Sequence, residues 1–85
     1  EHSMVDRAEV EAVLSGIAHP AGGTLISADV IRALAVEGGR VAFVIEARTP
    51  DEARALAPAQ AAAENALRAL PGVVAVQVVM TAHAA

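Results

Sequence analysis

Val30-Ile31-Arg32-Ala33-Leu34-Ala35-Val36-Glu37-Gly38-Gly39-Arg40-Val41-Ala42-Phe43-Val44-Ile45-Glu46 is the stretch that decides the fold. Two runs rich in β-branched residues flank a Gly-Gly pair, which is the pattern of two strands joined by a tight turn. Side chains alternate across a strand, so Val41, Phe43 and Ile45 share one face while Ala42, Val44 and Glu46 share the other. The first set faces a core and the second faces outward.

C-terminal to this hairpin, Thr49-Pro50-Asp51-Glu52 reads as a helix start. Thr49 serves as the cap, Pro50 stands at the first helical position and Glu52 closes a capping box. Pro58 removes a backbone donor and crowds the preceding turn, which predicts either two short helices or one bent one. The piece over residues 59–70 places Ala59, Ala63, Ala66, Leu67 and Leu70 on a face of mostly small residues. Pro71-Gly72 ends it, and residues 73–80 form the last strand. There Gln77 marks the outward register and leaves Val74, Val76, Val78 and Met80 facing inward.

N-terminal to the hairpin, Val10, Val13, Leu14 and Ile17 recur at helical spacing and predict a helix over residues 6–18. Asp6 caps it, Glu9 completes a capping box, and His19-Pro20 with Gly22-Gly23 stops it. The order α-β-β-α-β predicts an α+β fold of two layers, a small three-stranded mixed sheet with two helices packed on one face. A right-handed crossover makes strand three parallel to strand two, beside either strand two or strand one.

Eighty-five residues fit one domain, read as residues 5–80, with 1–4 an expression scar and chain start and 81–85 a flexible tail. Alanine dominates the apolar residues and Phe43 is the single aromatic, so the core is thin and aliphatic. Six basic residues, all arginine, against ten acidic ones give a net charge of −4, which opposes phosphate neutralisation. Together with the missing aromatic platforms, this argues against a nucleic-acid partner. The sequence lacks a membrane span and a signal peptide, which points to a cytoplasmic protein. With no cysteine, the chain offers no disulfide, thiolate nucleophile or cysteine-ligated cluster.

Catalysis finds no constellation here, and no metal-ligand set is expected either. Of the three histidines, His2 falls in the scar, His83 in the tail, and His19 reads as a helix C-terminal residue favoured by the dipole. The serines and threonines lack a spaced His–Asp set, and neither Gly-Gly pair has phosphate-loop spacing. If Glu37, Glu46 and Gln77 mark the outward sheet face, then Ala33, Ala35, Ala42, Val44, Ala75 and Val79 lie there too. That face, with Ala33, Ala42, Val44 and Val79 at its centre, is a candidate contact surface.

Several phrases carry a family likeness. Ile17-Ala18-His19-Pro20-Ala21-Gly22-Gly23, Leu25-Ile26-Ser27-Ala28 and Val36-Glu37-Gly38-Gly39-Arg40-Val41 resemble the N-terminal iron–sulfur assembly domain of Mrp/ApbC-type P-loop carrier ATPases. So do Ala66-Leu67-Arg68-Ala69-Leu70-Pro71-Gly72-Val73 and Val78-Val79-Met80-Thr81-Ala82-His83. The resemblance implies a non-catalytic accessory domain that assists cluster assembly or transfer beside an adjoining ATPase domain. Its partners would be that domain, iron–sulfur donor or target proteins, and a second copy of the chain. ATP and a [4Fe–4S] cluster are implied only for a longer parent protein, whose P-loop and C-x-x-C pair are not among these residues. Related domains carry Asp-Pro where His19-Pro20 stands, and some carry a reactive cysteine near Thr49-Pro50. These four residues are therefore candidate binding positions, with a docking role in place of thiol chemistry. The competing reading is a self-associating or ligand-binding regulatory module fused to an unrelated enzyme.

Overall fold

The computed structural model describes residues 5–82. The elements run α1 (Arg7–Leu14), β1 (Ile31–Glu37), β2 (Arg40–Ala47), α2 (Pro50–Arg68) and β3 (Ala75–Ala82). The sheet order is β1-β2-β3, with β2 antiparallel to β1 and parallel to β3. Of the two sites the sequence left open, β3 therefore takes the one beside β2. Both helices pack on one face, so the fold is the expected two-layer α+β arrangement.

The hairpin closes through Gly38 and Gly39, with φ of 59° and 82°. Positive φ at both central residues matches the turn to the strands' twist. Gly39 is constrained a second time. A Cβ there would lie 2.5 Å from the Gly72 carbonyl oxygen, so the hairpin turn and the α2–β3 turn touch backbone to backbone.

Val41, Phe43, Ile45 and Ala47 are buried, as the alternation requires. They share one core cluster with Val10 and Leu14 of α1, Leu25 of the connecting loop, and Leu56, Ala59, Ala63 and Leu67 of α2. Val76, Val78 and Met80 are half-buried on the same side.

Four features depart from the sequence reading, and one open alternative is decided. Helix α1 ends at Leu14, not near Ala18, because the Gly16 and Ile17 amides tighten onto the Val13 and Leu14 carbonyls. Ile17 keeps its helical spacing because it still packs on the core from outside the helix, while its carbonyl accepts from the Leu25 amide. Of the two alternatives Pro58 left open, α2 takes the single helix: the ring sits on the exposed side while Leu56 and Ala59 anchor the helix on either side of it. Its start is not a closed capping box, since the Glu52 carboxylate goes elsewhere.

Strand β3 begins at Ala75 and runs through Ala82, so Val74 is 74% exposed and not inward, and Thr81 and Ala82 belong to the sheet. Residues 83–85, like 1–4, lie outside the described residues, and with them His2 and His83. Finally, β1 is interrupted. Arg32 opposes Val44 and Ala35 opposes Ala42, so Ala33 and Leu34 together face one partner residue, and Ala33 sits at φ 56°. This bulge shifts the alternation by one and puts Ile31 inside and Arg32 outside.

Candidate functional site

The loop between α1 and β1 folds back on itself and seats His19. An isolated bridge pairs Ala18 with Thr24, and the His19 amide donates to the Gly23 carbonyl at 2.9 Å. Gly22 and Gly23, with φ of 114° and 74°, make the reversal. Below them Thr24 and Ser27 exchange amide-to-hydroxyl hydrogen bonds of 2.8 and 3.1 Å, and Leu25 plugs the core.

His19 is consequently not a helix-end residue. It stands five positions past Leu14, only 6% exposed, the one buried polar or charged residue among those described. Its Nδ1 accepts from the Ala21 amide at 3.0 Å, which leaves the proton of the neutral ring on Nε2. That nitrogen has no hydrogen-bond partner. It lies 3.5 Å from Glu52 Oε2, close enough for electrostatic attraction and too far for a good hydrogen bond.

The carboxylate comes from the first turn of α2. Thr49 caps the helix through its hydroxyl, which accepts from the Glu52 amide at 3.0 Å. Glu52 Oε1 accepts from the Arg48 amide at 2.6 Å, one residue upstream of the amide a capping box would use. The other carboxylate oxygen is thereby turned toward His19. The α1–β1 loop and the start of α2, 33 positions apart in sequence, are thus joined around one imidazole and one carboxylate.

Three adjoining depressions share His19 in their walls. The largest is an open groove of about 500 Å³, running between Ile17, Ala18 and Pro20 on the loop side and Ala55, Pro58 and Ala62 on α2. Ala55, Pro58 and Ala62 form an exposed, small apolar stripe. A smaller depression of about 240 Å³ is polar at its edge, with Ser27, Arg48 and Glu52.

Of the residues singled out from sequence, His19 and Pro20 line the groove, and Thr49 and Pro50 start the helix that forms its other wall. Ala42, Val44 and Val79 lie on the far face of the sheet, away from this site, with Val79 45% exposed. Ala33 does not join them: the bulge gives its place beside Val44 to Arg32, whose Nε pairs with Glu46 Oε1 at 3.1 Å. Sequence reasoning missed Glu52 as a member of the site. Its carboxylate at the third helical position was visible, but the identity of its partner was not.

No helix among the described residues is long and apolar enough to cross a membrane. Nor do the described residues gather three or more His, Cys, Asp or Glu side chains into a set that could hold a metal ion. With no cysteine in the sequence, these residues do not fit an iron–sulfur cluster. A comparison with curated proteins gives no match. The family model for the iron–sulfur cluster assembly protein matches residues 7–78, from the first turn of α1 into the middle of β3, and the chain belongs to that family.

Proposed function

We propose that this iron–sulfur assembly domain is a non-catalytic accessory module that works beside a P-loop cluster-carrier ATPase, and that it meets its protein partner through the groove between the His19-Pro20 loop and α2. The observation that carries this reading is that the loop and the helix start converge on one built feature, the buried His19 facing Glu52 beneath an open apolar groove. The sequence likeness to Mrp/ApbC-type proteins supports the ATPase as neighbour. With no cysteine near Thr49-Pro50 or elsewhere in the sequence, the groove has no thiolate, which favours contact over ligation. An apolar side chain from the partner would fill the stripe of Ala55, Pro58 and Ala62, while Asp51 and Arg48, in the walls of the two adjoining depressions, put a charge of each sign nearby.

Ala62→Arg, made in a protein that joins this domain to its ATPase, tests the reading. Ala62 is exposed and arginine is a good helix former, so the melting transition should move by less than about 0.5 kcal/mol. Cluster transfer to an apo-acceptor is expected to fall about tenfold, as truncation or blocking of a central contact does. Unchanged transfer with an unchanged melt would remove the groove as the contact surface.

A further inference from the structure

Strands β1 and β3 are both edges of the sheet, yet only one is protected. Strand β1 carries a bulge at Ala33 and Leu34 and the charged side chains of Arg32 and Glu37, and the Arg7 guanidinium donates to its Leu34 carbonyl at 3.0 Å. These are the usual devices that stop an edge from recruiting another strand. Strand β3 has none of them. Its eight residues, Ala75-Val76-Gln77-Val78-Val79-Met80-Thr81-Ala82, hold no charge, no proline and no glycine. Its register against β2 is unbroken from Ala75 to Ala82.

Among the described residues no strand pairs with the other side of β3. One side chain, Gln60, reaches its backbone there through a long 3.5 Å contact to the Val78 carbonyl. The backbone amides and carbonyls of alternate β3 residues therefore point outward along an edge flanked by exposed Val79.

We propose that β3 pairs antiparallel with β3 of a second copy of this chain, on a two-fold axis through Val79, joining two three-stranded sheets into one of six strands. The sequence of the strand itself selects this occupant and this register. Centred on Val79, the outer face sets Val79 against its own copy and Gln77 against Thr81, apolar on apolar and polar on polar. The inner face sets Val78 against Met80, continuing the half-buried row that α2 covers. Because the strand is uncharged, no like charges oppose each other even though each chain carries a net −4. This inference uses no residue of the groove and does not depend on the role proposed for it.

The test is a charge swap on the full chain, followed by sedimentation over a range of concentrations. Wild type is expected to dimerise. Val79→Lys and Val79→Glu, each placing two like charges together on the axis, should each weaken the dimer about tenfold or more, and an equimolar mixture of the two should restore it as a heterodimer. Ala35→Lys, on the same sheet face but two strands away, should leave the dimer intact. In the wild type, hydrogen exchange at alternate β3 amides should slow as concentration rises, a reading that needs no variant to fold. A wild-type monomer at every concentration, a dimer indifferent to Val79→Lys, or equal loss with Ala35→Lys, which marks face-to-face stacking, would each overturn the proposal.

Discussion

The two helices of this domain begin with the same spacing of residues and end up doing different things. At α1, Asp6 Oδ1 accepts from the Glu9 amide at 2.9 Å and Glu9 returns to the Asp6 amide at 3.1 Å, a closed box made within four residues. At α2, Thr49 performs its half, but Glu52 leaves the box, takes the Arg48 amide and turns its free oxygen toward His19. A cap that closes on itself is complete without the rest of the protein, whereas one that opens is defined by what lies across from it. The first pins a helix. The second draws a distant loop over the helix start and so builds a site.

Removing what both starts share gives the largest effect. Phe43 is 2% exposed at the centre of β2, in the core cluster to which both helices contribute, and Phe43→Ala should cost about 3–5 kcal/mol of the roughly 5–15 that holds a domain together. Urea unfolding followed at the Glu9 and Glu52 amides should show both lost in one transition. Survival of Glu9 protection alone would mean that α1 is a separate folding unit, and the comparison would have to be redrawn.

Deleting each glutamate in turn gives the next largest effect, and the two losses differ in size. Glu52→Ala removes the acceptor of the Arg48 amide and the carboxylate that faces the His19 ring, with an expected loss of about 1–2 kcal/mol. Glu9→Ala, at an exposed position of an eight-residue helix, should lose only a few tenths of a kcal/mol. Equal losses in thermal melts would show that the opened cap has no tertiary role.

A gain in place of a loss sharpens the contrast from a distance. Arg7 ties α1 to β1 next to the bulge, where Ala33 holds a left-handed backbone that favours glycine. Ala33→Gly should stabilise the domain by about 0.5–1 kcal/mol. If α1's cap is self-contained, exchange at the Glu9 amide should follow the global gain and nothing more.

Much of the architecture could be read from sequence because it is governed by local chemistry. The Gly38-Gly39 turn, the Asp6 and Thr49 caps, and the alternation along β2 each rest on neighbours a few positions apart. Alanine gives no such signal at a bulge, so the slip at Ala33 was invisible and a false outward position followed from it. Pro58 left one helix or two open for a different reason. The local penalty is real, but Leu56, Ala59, Ala63 and Leu67 hold the helix to the sheet and outweigh it. The site was legible only in halves. His19-Pro20 and Thr49-Pro50 could be marked out separately by family likeness, yet nothing in either segment says that Nε2 of one would face a carboxylate from the other's first turn.

Among the described residues β2 alone is paired on both sides within the chain, and the order in which its neighbours are made has a consequence for biosynthesis. The hairpin with β1 can close in about 1–10 μs once both strands are free of the ribosome. The parallel partner ends 35 residues after β2 does, Ala82 against Ala47, and at roughly 5–20 residues per second that is a wait of some seconds. Throughout that interval the nascent chain carries a finished hairpin whose most apolar strand has one side open. The vulnerable period of this domain is therefore during translation, before β3 has been made, and a ribosome pause between the codons for Ala47 and Ala82 would lengthen it in direct proportion.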